Sequence, residues 1–252
     1  MSDRRNVVYL YDGSFDGLLS AVFEGFANHE LPSAIEKTEY GQQSISTDYF
    51  HVSTNSEKSE RVAKKIVAVS GQTALRHICL CYLSDFPDKE LHIFNYIRAC
   101  LKLGFSVNKH LTTDCVNAVI TASKTVSSEA HLYIEFIRFS ELDNGVYYSK
   151  IEPKYNVLPV IASHFSQRYH NMPFIIHDVI HCQCIVYNGK SCEIRDTDCM
   201  PILNFSKTEN KYRKLWKQFY DTISIQERHN EKCRMTHMPK RFWRCMTEFQ
   251  GF

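Results

Sequence analysis

Apolar residues recur at helical spacing through much of the chain before residue 135, and they alternate with polar residues in short segments after it. A short apolar segment, Val7–Tyr11, predicts a strand, and Asp12-Gly13-Ser14 leads from it into an amphipathic helix. Residues 31–46 are polar and irregular, which predicts a loop. Residues 54–135 have mainly helical periodicity, so the N-terminal half is predicted to be mostly helical.

The pattern in the second half of the chain predicts strands with backing helices. Asp143-Asn144-Gly145 predicts a hairpin between strands at 136–142 and 146–151, because Asn-Gly suits the positive φ angles of a tight turn. A helix at about 157–169 and strands at 174–178, 181–187 and 191–194 follow. The predicted fold class is therefore α+β, with a mainly helical region at 1–134 and an antiparallel sheet at 135–252.

A last long helix is predicted at about 206–225. Its apolar residues recur as a wide stripe, formed by Tyr212, Leu215, Trp216, Phe219, Tyr220 and Ile223. A stripe of this width is typical of a core-facing helix, so we expect Trp216 and Phe219 to be buried; a base-stacking role is the alternative. Lysines and arginines occupy the other faces of this helix.

The overall composition says little about function, whereas the distribution of charge along the chain says more. With 44% hydrophobic and 23% charged residues the chain is typical of a globular protein, and its formal net charge is only +2. No segment has the length and apolar character of a membrane span, and Met1–Asn6 lack the features of a secretory signal, so we expect a cytoplasmic protein without membrane contact. Residues 206–252, however, contain eleven Lys/Arg and five Asp/Glu. This asymmetry favours a polyanionic partner, although a solvated basic face is the alternative.

Ten cysteines without a secretory signal indicate free thiols in a reducing compartment. A metal site could combine Cys182, Cys184, Cys192 and Cys199 with nearby histidines, since thiolate and imidazole are preferred zinc ligands. The usual Cys-x-x-Cys spacing is missing, and buried thiols are common in strands. We therefore predict no bound metal and no cofactor.

The tail offers a candidate anion site. Pro239 is suited to the first position of a short helix, which places Lys240 and Arg241 in the first turn. Cations are unfavourable there, and a bound phosphate would remove the conflict. The alternative is structural: aromatic residues attach the tail to the core while the cations pair with acids such as Glu248.

Several short motifs together resemble a known family. They are Tyr9-Leu10-Tyr11-Asp12-Gly13-Ser14-Phe15-x-Gly17, Glu129-Ala130-His131 with Arg138-Phe139, Ile151-Glu152-Pro153-x-x-Asn156-Val157-Leu158-Pro159, His164-Phe165-x-x-Arg168 and Met238-Pro239-Lys240-Arg241-x-Trp243. They resemble a bacterial family of probable DNA metabolism or putative DNA repair proteins. Its core is a domain of unknown function that is also found attached to uracil-DNA-glycosylase-like proteins. Stand-alone members are typically encoded beside a radical SAM protein, and the resemblance therefore implies a role in DNA maintenance with that protein as partner.

The first functional hypothesis is a nucleic-acid-binding accessory protein, with DNA favoured over RNA. Positive and polar residues of the matched segments would meet phosphates or base edges; the candidates are Arg138, Arg168, Arg228, Asn230, Lys240 and Arg241.

Two alternatives stay open. The second hypothesis is an enzyme acting on nucleic acid or a nucleobase, with His131 or His164 as general acid/base and Asp178 as the orienting carboxylate. The third is a protein partner of the radical SAM enzyme without nucleic-acid contact. A continuous basic groove would favour the first two hypotheses, and an exposed apolar patch would favour the third.

Overall fold

The computed structural model describes residues 7–38, 47–197, 204–223, 225 and 230–249. The chain divides into two units, Met1–Val126 and Ser127–Phe252. The helices are α1 (Phe15–Ala27), α2 (Ser56–Ser70), α3 (Gln72–Tyr82), α4 (Lys89–Leu103), α5 (Asp114–Phe136), α6 (Leu158–Arg168), α7 (Lys207–Ile223) and α8 (Glu231–His237). The strands are β1 (Val7–Tyr11), β2 (Ala34–Lys37), β3 (Asp48–His51), β4 (Ser140–Glu141), β5 (Tyr147–Ile151), β6 (Phe174–Asp178), β7 (Gln183–Tyr187) and β8 (Cys192–Asp196). Within the described residues, the 3-10 segments are Gly104–Lys109, Lys240–Cys245 and Thr247–Phe249.

The first unit joins a small parallel sheet to helices. Its strand order is β2-β1-β3, and all five residues of the central strand β1 are buried. The predicted loop at 31–46 is wrong in part, because β2 lies within it and pairs in parallel with β1. Only Ile35 of β2 is buried, so the strand depends on backbone pairing and leaves no clear apolar pattern. Residues 39–46 lie outside the described part of the chain.

The turn from β1 into α1 is filled by a carboxylate. Asp12 Oδ1 accepts hydrogen bonds from the Ser14 amide and hydroxyl, and Asp12 Oδ2 accepts one from the Thr54 hydroxyl. Ser14 caps α1 by accepting from the Gly17 amide at 2.9 Å. Because a protein carboxylate already occupies this helix start, Asp12 serves as a turn and capping residue here.

The second unit contains a mixed five-stranded sheet in the order β4-β5-β6-β7-β8. Three strand pairs are antiparallel, and β5 pairs with β6 in parallel. The α+β prediction is confirmed, with the helices mainly in the N-terminal half, but the expectation of an antiparallel sheet is wrong for the β5–β6 pair, because α6 connects these two strands as a crossover. The strand predicted at 136–142 is shortened to Ser140–Glu141, because α5 continues to Phe136.

The core of the second unit lies between the sheet and α6. Phe165 of α6 lies against Phe174, and Phe174 contacts Tyr187 at 5.0 Å between ring centroids. Residues at the end of α5 also pack inward, since Tyr133 meets the buried Phe242 edge-on at 4.9 Å. These contacts fill the apolar side of the sheet without any residue of α7.

The prediction that α7 packs Trp216 and Phe219 into the core is wrong. Trp216 is 42% exposed and Phe219 is 52% exposed, and no residue of α7 is buried. The helix packs mainly against the 3-10 segment Thr247–Phe249 and meets the sheet at its edge strand β4, where the Glu209 carboxylate accepts from the Glu141 amide, whereas α6 contacts β7 and β8. The apolar stripe of α7 is therefore exposed to solvent.

No helix in the described ranges combines the length and apolar character that a membrane crossing needs.

Candidate functional site

The open stripe of α7 borders a groove of about 680 Å³. Its lining is mainly apolar and aromatic, with cations at its edge; it includes Arg138, Tyr212, Arg213, Leu215, Trp216 and Phe219. The rings of Trp216 and Phe219 lie 5.7 Å apart and tilted by 33°. We call Tyr212, Leu215, Trp216 and Phe219 the aromatic platform.

Trp216 is held in place by polar contacts at the base of the groove. Its indole Nε1 donates to Glu248 Oε2 at 3.2 Å, and Arg138 Nη2 donates to Glu248 Oε1 at 3.4 Å. Lys217 Nζ donates to the backbone oxygen of Glu248 at 3.3 Å. Glu248 is buried, so its carboxylate needs these donors, and in return it fixes the edge of the indole. The platform is therefore preorganised rather than loosely attached.

The positive charges of α7 fall into two groups. Arg213 pairs with Glu209 at 2.9 Å, and Lys217 lies 3.6 Å from Asp221. In the part of the chain that the structure describes, the remaining lysines of α7 make no ion pair; these are Lys207, Lys211 and Lys214. All three are exposed, so they can attract an anionic ligand toward the groove.

Of the residues predicted to bind nucleic acid, Arg138 is the one that lines this groove. Arg168 is the last residue of α6 and is exposed. Its guanidinium lies 5.9 Å from the ring centroid of Tyr169. Asn230 caps α8, where its side chain accepts from the Cys233 amide at 2.9 Å. Arg228 lies outside the described residues.

Lys240 and Arg241 begin a 3-10 segment rather than an α-helix, and Pro239 precedes it as the cap. Lys240 is exposed, with Nζ 5.7 Å from the ring centroid of Trp243. Arg241 pairs with Glu129 at 2.8 Å. One of the two predicted cations is thus already neutralised within the protein, while the role of both in anion binding stays a prediction.

Glu129 joins three of the motif segments. Its side chain is 3% exposed, and it accepts hydrogen bonds from the amides of Lys154 and Tyr155 at 3.2 and 2.9 Å as well as from Arg241. The segments around residues 129, 154 and 241 therefore meet at one carboxylate. Sequence reasoning missed this role, although a glutamate at a helical core position signals a buried acid that needs partners.

The predicted catalytic residues lie in different settings. His131 is exposed on α5 and pairs with Glu135 at 3.1 Å, while the ring of His164 meets Phe165 edge-on. Asp178 is fully buried at the end of β6, where His181 Nδ1 lies 2.7 Å from its Oδ2. Among the described residues, no hydrogen bond, ion pair or ring contact joins His131, His164 and Asp178 to one another. The histidine that Asp178 orients is His181, three residues later, one of the histidines near the cysteines that the sequence suggested only as metal ligands.

The cysteines near β7 do not form a cluster in the described structure. Cys184 lies within β7 opposite Arg195, and Cys192 lies at the other end of that strand pair, opposite Tyr187. Cys182 is exposed with a positive φ of 52°. Among the described residues, no group of three or more His, Cys, Asp or Glu side chains is arranged to hold a metal ion; Cys199 lies outside them.

Comparison with known proteins gives a family without an assigned activity. No curated protein and no solved structure matches the chain. Residues 87–248 match the family described as "Domain of unknown function", DUF4130. This match includes α7, the 3-10 segment Lys240–Cys245 and Glu129. The chain therefore belongs to the DUF4130 family.

Proposed function

We propose that this protein is a nucleic-acid-binding accessory protein of DNA metabolism, and that it binds single strands along α7. The observation that supports the proposal is the aromatic platform, which is open to solvent on a helix that also carries exposed lysines, since an apolar patch without such cations would favour a protein partner. Large exposed aromatic groups in a row on one helix are uncommon on a protein surface that has no ligand.

The two features of α7 match the two parts of a single strand. Bases stack on aromatic rings, and each stacked base contributes about 1 to 3 kcal/mol with little sequence preference. Phosphates attract Lys207, Lys211 and Lys214, which contribute affinity that weakens as salt is added. A double strand hides the faces of its bases, so the platform favours unpaired nucleotides.

The resemblance to DNA metabolism proteins supports DNA over RNA as the ligand and a radical SAM protein as the partner. In this proposal the chain holds a single-stranded segment in the cytoplasm while the partner carries out the chemistry.

The proposal is tested by fluorescence anisotropy with a labelled thymidine oligonucleotide. Trp216→Ala with Phe219→Ala should weaken binding by about 1 to 3 kcal/mol for each stacked base lost. Phe105→Ala is the matched control, since Phe105 is also an exposed phenylalanine but lies in the 3-10 segment Gly104–Lys109. Equal binding by both variants would contradict the proposal.

A second candidate function follows from the same stripe. An exposed apolar helix face also suits a protein partner, which favours the hypothesis of a docking protein for the radical SAM enzyme. Replacing Lys207, Lys211 and Lys214 with glutamine separates the two. The change should flatten the salt dependence of oligonucleotide binding by about 0.7 for each lost phosphate contact. Docking of a protein through the apolar stripe alone would be nearly unaffected.

A further inference from the structure

A second cavity in the same unit collects four cationic side chains. It has a volume of about 400 Å³ and lies along β5, between the tail and the start of α7. Its lining contains Arg138, Lys150, Arg213 and Arg244, and we call it the four-cation pocket. Polar lining groups come from Ser140, Tyr148 and Thr247. Glu152 is the one carboxylate among its lining residues in the described chain.

The carboxylates around this pocket serve more than one donor each. Lys150 Nζ lies 3.0 Å from Glu152, and Arg244 Nη1 lies 3.4 Å from the same side chain. Glu248 is shared between Arg138 and the indole of Trp216. Four cationic side chains and one carboxylate thus line the pocket among the described residues, and two of the ion pairs there are long, at 3.4 Å. In a partly enclosed space an anion is attracted to such cations more strongly than at an open surface.

The four-cation pocket adjoins the groove that the aromatic platform borders. Arg138, Arg213 and Thr247 line both cavities. A ligand with an anionic group in the pocket can therefore place an attached planar group in the groove. Nucleotides have this combination, since a phosphate and a base are joined through a sugar.

We propose that the four-cation pocket binds the phosphate of a nucleotide whose base lies in the groove beside Trp216. Arginine suits this role because its guanidinium donates two parallel hydrogen bonds to phosphate oxygens. The volume lies at the lower end of the usual range for small-ligand sites, which suits a sugar-phosphate rather than a longer chain. The placement of the base rests on the proposed function, whereas the phosphate contacts rest on the pocket alone.

The test is a calorimetric titration of the full-length protein with thymidine monophosphate, thymidine and inorganic phosphate. Thymidine monophosphate should bind more tightly than either of the others, because only it fills both cavities. Inorganic phosphate binding as tightly as the nucleotide would reduce the site to a free-phosphate site and overturn the assignment. Thymidine binding as tightly as its phosphate, or no binding of thymidine monophosphate at all, would also overturn it.

Two variants locate the site. Lys150→Gln with Arg244→Gln should weaken thymidine monophosphate binding by about ten-fold or more, because two charged donors are lost. Arg195→Gln is the matched control, since Arg195 is an ion-paired exposed arginine on β8 outside the pocket lining. A thermal melt of each variant checks that the fold is retained. An equal effect of both changes would overturn the assignment.

Failure of this inference can be distinguished from failure of the proposed function. If the oligonucleotide binds and depends on Trp216 while thymidine monophosphate does not bind, the inference fails and the proposed function stands. If thymidine monophosphate binds and depends on Lys150 and Arg244 while no oligonucleotide binds, the pocket is a mononucleotide site and single-strand binding fails.

Discussion

The carboxylate of Glu129 shows how a single buried charge can tie distant segments together. Its partners are two backbone amides that follow β5 and the guanidinium of Arg241. An ionised side chain at this depth is costly to bury unless donors surround it. The motif residues Glu129 and Arg241 therefore have a structural role whether or not the tail also binds an anion.

Arg241→Ala should lower the free energy of unfolding by about 1 to 2 kcal/mol, because a buried carboxylate loses one donor; the value is discounted since Arg241 is itself 47% exposed. Lys240→Ala is the control, and it should change stability by less than about 0.5 kcal/mol. Urea denaturation of the two variants measures the difference. Equal stability would show that the two amides alone satisfy Glu129.

His177 makes a pH-dependent contribution to the stability of the second unit. Burial lowers the pKa of His177 below its ordinary value of 6.5, and its Nδ1 lies 3.0 Å from the Tyr148 hydroxyl. The unfolded chain then binds a proton more readily than the folded one, so this contribution is present above the unfolded pKa and is lost as the pH falls below it. His177→Gln keeps a hydrogen-bonding group but cannot titrate there. Its unfolding free energy should fall less than that of the natural protein between about pH 7 and pH 5. Parallel pH dependences in urea unfolding would contradict the assignment.

At the scale of elements, the turn between β1 and α1 depends on the absence of one side chain. A Cβ atom on Gly17 would lie 2.1 Å from Asp12 Oδ1 and 2.9 Å from the Thr54 hydroxyl. Ordinary contacts are much longer, so either the carboxylate or the first turn of α1 would have to move.

Gly17→Ala should therefore destabilise the protein by about 1 to 3 kcal/mol, although alanine normally favours a helix. The same change in an Asp12→Ala background should cost less, because the closest clash is then removed. Thermal or urea unfolding is measured for the natural protein, the two single variants and the double variant, which together form a double-mutant cycle. A cost that does not depend on residue 12 would show that the strain has another source.

The sequence predicts the positions of helices and strands better than it predicts which of their faces are buried. Helical periodicity placed the last helix at about 206–225, and α7 runs from Lys207 to Ile223, because periodicity is a local property. The burial of Trp216 was predicted wrongly, since the same apolar stripe arises on a core helix and on a helix whose stripe faces solvent. β2 was missed because its stability comes from pairing with β1, which no local pattern records.

The candidate site was less predictable than the fold for a related reason. The sequence identified Arg138 and the basic residues of α7 as positive charges. The groove beside them depends on tertiary packing, because Trp216 of α7 contacts Glu248 of the tail. Lys150 and Arg244 carried no motif that suggested ligand binding, and they reach a shared pocket through the register of β5 and the path of the 3-10 segment.

At the scale of the whole molecule, excess positive charge and exposed aromatic area coincide in one part of the chain. Residues 206–252 contain eleven Lys/Arg and five Asp/Glu, while the chain as a whole has a net charge of only +2. The open aromatic platform lies within that same segment. A charge excess alone favours a polyanion of any kind, and its combination with neighbouring, open rings is the reason why we propose a polyanion that carries bases.

The central claim is that bases stack on Trp216, and tryptophan fluorescence tests it most directly. The chain has two tryptophans, so Trp243→Phe leaves Trp216 as the only indole. Titration of this variant with a thymidine oligonucleotide should quench the remaining emission in step with binding measured by anisotropy, because stacked bases quench an indole. A base-free polyanion, inorganic polyphosphate, should bind through the lysines without comparable quenching. Oligonucleotide binding that leaves the Trp216 emission unchanged, or equal quenching by polyphosphate, would contradict the account.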